Sequence, residues 1–141
     1  MTTIDPQRHQ MIKGAVMQRP EAIADVSIYL WEQLAHELIS IIGEGGFQSL
    51  FKRSLHLTSA TFPWMKISTP LSQNGARFAG LKNCLEGQNS AEAGEASTAL
   101  LITFIDILAL LIGELLTSSI LRLAWGDDAL DTVVKLSLIH I

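Results

Sequence analysis

Residues 97–125, STALLITFIDILALLIGELLTSSILRLAW, constrain this chain more than any other feature. So long an apolar run must be hidden from water, either in a bilayer or inside protein. A bilayer span needs about 20 predominantly apolar residues, and an acid at its centre costs about 2.5 kcal/mol or more. Asp106 and Glu114 interrupt the run. At roughly 100° per residue, Glu92, Glu95, Thr103, Asp106, Gly113, Glu114 and Thr117 fall within one stripe about 100° wide, and the leucines and isoleucines take the rest. The spacing therefore predicts one long helix from about Ser90 to Trp125, embedded in protein and showing water a narrow edge. Asp106 sits in the middle of that edge. Wherever another helix covers it, its carboxylate needs a cation or hydrogen bonds, and Arg122 lies too far along the helix to supply them. It is the candidate polar contact of an interface.

The remaining chain reads as further helices. Asp5-Pro6 opens a short one that runs through Met17 until Pro20. Pro20-Glu21 opens a second, whose apolar positions Ile23, Val26, Leu30, Leu34, Leu38 and Ile41 recur every three or four residues, with Trp31 and Ile42 widening the face. It ends at GEGG, 43–46, where glycine supplies the positive φ of a helix stop. A third helix starts at Phe47, buries Leu50, Phe51, Ser54, Leu55 and Thr58, and cannot continue through Pro63. KISTPLSQNG, 66–75, is the main loop between two helical halves, 5–63 and 76–138. A short helix, ARFAGLKNCLEG, follows, and Ser90 is expected to cap the long one. Gly126 stops it, and Asp127 or Asp128 caps a last helix. The ending LSLIHI, within the tail 136–141, is apolar without helical phasing and reads as a non-native addition, so His140 carries no functional weight. The expectation is an all-α single domain over 1–141: an antiparallel bundle of about four main helices plus short terminal helices.

Charge and cysteine content narrow the function classes. Fourteen acids against 10 bases give a net charge of -4, and the one compact basic group, Lys52, Arg53 and His56, is too small to track phosphates, so no nucleic acid is expected. The single cysteine, Cys84, allows no internal disulfide, and MTTIDPQRHQ has no apolar core of a signal peptide; both fit a cytoplasmic protein. Only 17% of residues are charged, against about 25% in an ordinary soluble domain. Some apolar surface should meet a partner.

Few residues offer chemistry. Asp25, Tyr29, Glu32, Gln33, His36 and Ser40 lie within about 60° of one another, opposite the apolar face of the second helix, which predicts an exposed His36. The stretch His36-Glu37-Leu38-x-Ser40 is similar to the phosphoacceptor box of sensor histidine kinases, in which a histidine on an exposed bundle face is followed by an acid and then a small hydroxyl residue. The resemblance implies that His36 takes a phosphoryl group, oriented by Glu37. It covers five residues, Ile41 stands where the family has proline, and no nucleotide-binding domain follows. DDALD, with Asp127, Asp128 and Asp131, resembles the magnesium-diphosphate motif of all-helical prenyl and terpene synthases, but the second acidic motif is missing and helix capping accounts for the three acids. The glycines of GEGGF lack the Lys-Ser/Thr of a phosphate loop, and no Glu-x-x-His pair points to a di-iron centre. No catalytic group, metal site, cofactor or small-molecule substrate is therefore expected. The chain reads as a non-enzymatic interaction or regulatory module that pairs with itself, as a homodimer, or with another protein, with bacterial signalling as one setting. The alternatives are a phosphorelay component using His36 and a membrane-associated protein using residues 99–125.

Overall fold

The computed structural model describes residues 6–65 and 77–139, with side chains described for 7–65 and 77–126. Five helices pack against one another: α1 (Pro6–Val16), α2 (Ile23–Ser59), α3 (Ala79–Glu86), α4 (Ser90–Ile112) and α5 (Glu114–Ile139). Single 3-10 turns at Pro20–Ala22 and Pro63–Met65 join them, and no strand occurs among the described residues. The fold is all-α. The loop expected over 66–75 and the side chains of Asp127, Asp128, Asp131 and the tail 136–141 lie outside the described residues.

Glycine makes the corners. α2 is two arms, 23–42 and 44–59, separated at Gly43 (φ 83°, ψ 165°), and α5 is divided likewise at Gly126 (φ 68°, ψ 179°). Gly113, between α4 and α5, has the same conformation (φ 95°, ψ 158°). This mirror image of extended backbone is essentially open to glycine alone, and one such residue is enough to break the helix and redirect the chain. At Gly43 the chain doubles back: the rings of Trp31 and Phe51 lie 5.0 Å apart, where a straight helix would set them roughly 30 Å apart.

The structure departs from the sequence reading at several helix ends. The second arm of α2 begins at Glu44, with Gly45 and Gly46 already helical, rather than at Phe47. The single helix expected from 90 to 125 ends instead at Ile112. Glu114 and Thr117 stay in phase with the polar stripe of α4, so the periodicity runs straight through the break. A smaller correction concerns the cap of α4, which is Asn89 and not Ser90; its side-chain oxygen accepts from the Glu92 amide at 2.8 Å.

The core forms around Trp31, which is 0% exposed. Phe51 and Phe104 meet it edge-on, each 5.0 Å between centroids, and Phe78 and Phe47 complete the cluster. Both arms of α2, the start of α3 and the middle of α4 are thus joined by ring contacts worth about 0.5–1.5 kcal/mol each beyond their burial. Along the first arm Ile23, Leu30, Leu34 and Leu38 are buried as expected, but Ile41 is 50% exposed beside the Gly43 corner. Small residues at the start of α4 let its neighbours approach closely. A Cβ on Gly94 would collide with Met17 Sδ, and the hydroxyls of Ser27 and Ser97 hydrogen-bond at 2.5 Å between α2 and α4.

Candidate functional site

Asp106 is paired within the chain, by residues of α1. Arg8, buried, donates to Asp106 Oδ1 at 2.9 Å and also to Glu114, while His9 Nε2 lies 2.9 Å from Asp106 Oδ2. One guanidinium therefore ties α1 to the last part of α4 and the first residue of α5, on both sides of the Gly113 corner. Burial pulls the Arg8 pKa down, but its hydrogen bonds to Asp106 and Glu114 and the two negative charges outweigh that and leave it above its ordinary value. The sequence reading asked for a cation or hydrogen bonds at Asp106 wherever another helix covers it. It did not show which residues supply them, because the donors come from a short helix with little amphipathic pattern, far away along the chain.

His36 is exposed, as its helical phase predicts. It borders an open groove of about 320 Å3 lined also by Glu32, Ala35, Ile39, Glu44, Arg77 and Phe78. Glu37 is half-buried, and the Ser40 hydroxyl donates to the Glu37 carbonyl at 2.7 Å, so it is engaged with its own helix. On the far side of the groove Arg77 grips Glu44 with both guanidinium nitrogens, Nη2 to Oε1 at 2.8 Å, and Gln48 donates to the same carboxylate at 3.1 Å. The Arg77 bond, helped by that of Gln48 and opposed by partial burial, holds the Glu44 carboxyl below the usual carboxylate range. The guanidinium is correspondingly occupied. Neither partner was singled out in the sequence, because 33 positions and the main loop separate them.

Leucines mark the third feature. Around the Gly113 corner Leu110 is 67% exposed, Leu111 70%, Leu115 88% and Leu116 43%, and Leu123 further along α5 is 68% exposed. Had the long helix continued, Leu111, Leu115 and Leu116 would have belonged to its embedded side. The corner at Gly113 turns them to solvent. Among the described residues no group of three or more potential metal ligands occurs, and burial pushes the thiol of half-buried Cys84 up, away from the reactive thiolate. α4 is long and apolar enough to cross a membrane by length and composition alone, although 50% of its most apolar window is buried within the protein. Compared with protein-family models, with curated proteins and with solved structures, the chain matches none of them.

Proposed function

We propose that the chain is a non-enzymatic interaction module that works through the leucine surface around the Gly113 corner. The observation that carries this reading is the exposure of Leu110, Leu111 and Leu115, each two-thirds or more open to water. Scattered single leucines are ordinary on a protein surface, but these three lie within six positions of one another at one corner of the chain, and an apolar surface grouped in this way is the kind that meets a partner. Covering it removes apolar area from water at about 25 cal/mol per Å2, before the losses of association. The expected setting is the cytoplasm. A dye that fluoresces in apolar surroundings tests the reading: it should bind the folded protein, and the triple substitution Leu110→Ser, Leu111→Ser, Leu115→Ser should abolish most of the signal while the helical circular-dichroism spectrum persists. Dye binding unchanged by the substitutions, or none at all, rejects it.

A second reading has one observation in its favour, the exposed imidazole of His36 beside an open groove. As a phosphoacceptor His36 would be labelled by acetyl phosphate, the label would be acid-labile, and His36→Gln would lose it. Label that survives this substitution removes the reading. The membrane-associated alternative has less support, since much of the apolar surface of α4 is buried within the protein.

A further inference from the structure

Gly113 is the single residue that interrupts the helix between Ser90 and the Gly126 corner. The hydrogen-bond ladders on both sides run right up to it: its amide donates to the Ala109 carbonyl at 2.9 Å, and its carbonyl accepts from the Thr117 amide at 3.1 Å. A return of this one residue to helical φ and ψ would join α4 to α5 and add the bonds that the corner omits, from the amides of 114–116 to the carbonyls of 110–112. Nothing stands within 4 Å of a Cβ placed there, so no packed side chain holds the corner itself. The sequence suits the straight form as well. The polar phase of Thr103 and Asp106 continues through Glu114 and Thr117 without a step, a register that two helices meeting at a corner have no need to share. Gly43 differs, because there the two arms pack ring on ring, Trp31 against Phe51, and opening would dismantle the core.

From this one-residue hinge we infer that Gly113 is an exchange point: α4 and the first arm of α5 straighten into one rod, and residues 114–125 dock on α2 of a second copy of this chain. The partner follows from the contact already made. Thr117, Ile120, Leu121, Ala124 and Trp125 are buried, α5 packs more extensively against α2 than against α4, and Trp125 Nε1 donates to the Leu30 carbonyl of α2 at 2.9 Å. A second copy offers the same α2 surface, so two chains that trade arms remake these contacts and differ from two monomers at the hinge. Straightening without exchange has no such return, because it leaves Trp125 and its neighbours in water. Arg8 is the latch. It bonds Asp106 on one side of the corner and Glu114 on the other, and on a straight rod these acids stand roughly 12 Å apart along the axis, so the shared grip belongs to the bent form. The exchange needs nothing from the leucine surface proposed above.

Electron dipolar spectroscopy measures the hinge on the whole chain, with spin labels at Glu95→Cys and Ser119→Cys in a Cys84→Ala background, diluted into unlabelled protein; sedimentation velocity measures the mass. On a straight rod the two labelled backbone positions stand roughly 36 Å apart, and the bent chain holds them closer. Wild type should show the short distance at low micromolar concentration and the long one in its dimer fraction as concentration rises. Gly113→Ala penalises the bent form alone and does so in both chains of a pair, so it should lower the dissociation constant of the long-distance dimer at least about tenfold. At high dilution, where that variant is monomeric, it carries the strain and loses stability. Arg8→Gln, which leaves the backbone alone, should lower the dissociation constant several-fold. A Gly113→Ala chain that remains monomeric, a dimer that keeps the short distance, or the long distance in a monomer overturns the inference. If Gly113→Ala does not fold, Arg8→Gln decides, and the lack of a long-distance dimer there overturns it equally. A dimer held through the leucine surface keeps the short distance, and so rejects the exchange while sparing the reading above.

Discussion

Single residues decide the shape of this chain where backbone geometry is extreme. Nothing lies within 4 Å of a Cβ added to Gly113, so Gly113→Ala meets no side-chain clash and its effect is purely one of φ. Holding alanine in that conformation costs about 1–3 kcal/mol, and the urea midpoint should fall accordingly, with the slope of the transition unchanged. Glu44 makes a second residue-level prediction. Its folded carboxyl titrates below the unfolded one, so the Arg77 pair contributes stability above the unfolded pKa and loses it as pH falls through the folded value. The gap in stability between wild type and Glu44→Gln should be about 1 kcal/mol at neutral pH, and should shrink toward zero once pH drops well below the ordinary carboxylate range of about 4. Urea titrations at several pH values read it directly. A gap that widens in acid would contradict the assigned pairing.

At the scale of elements, the question is what holds α1. Ile12 and Val16 are fully buried, yet the polar attachment through Arg8 is what reaches both sides of the Gly113 corner. Arg8→Ala leaves Asp106 and Glu114 facing each other without their guanidinium, and because both carboxylates still reach water the loss should be about 2–3 kcal/mol, below that of a fully buried pair. Asp106→Asn in the same chain should recover part of it, a non-additivity that denaturation of the four members of the cycle measures. Element identity was largely legible from sequence. The apolar spacing of 23–38 matches the buried face of the first arm of α2, and the Gly43 stop was visible in GEGG. The Gly113 break was not, because two helices that happen to share a polar phase look like one to any count of 3.6-residue turns.

For the whole molecule, a partner held by leucines has a different physical signature from one held by charge. Association through the leucine surface at the Gly113 corner should show a negative heat-capacity change and should not weaken between low and moderate salt, since screening acts on exposed charges and not on apolar burial. Calorimetric dilution at two temperatures and two ionic strengths measures both; an affinity that falls steeply with salt would place the interface elsewhere. By itself the sequence determined that this chain is helical, where most helices begin and end, and that His36 faces water. These are properties of periodicity and composition, which local spacing records. Only the tertiary structure decided which cation meets Asp106, which glycine breaks the longest apolar run, and hence which leucines are left outside. Those outcomes depend on contacts between positions as distant as Arg8 and Glu114, and the spacing of neighbours along a chain carries no information about them.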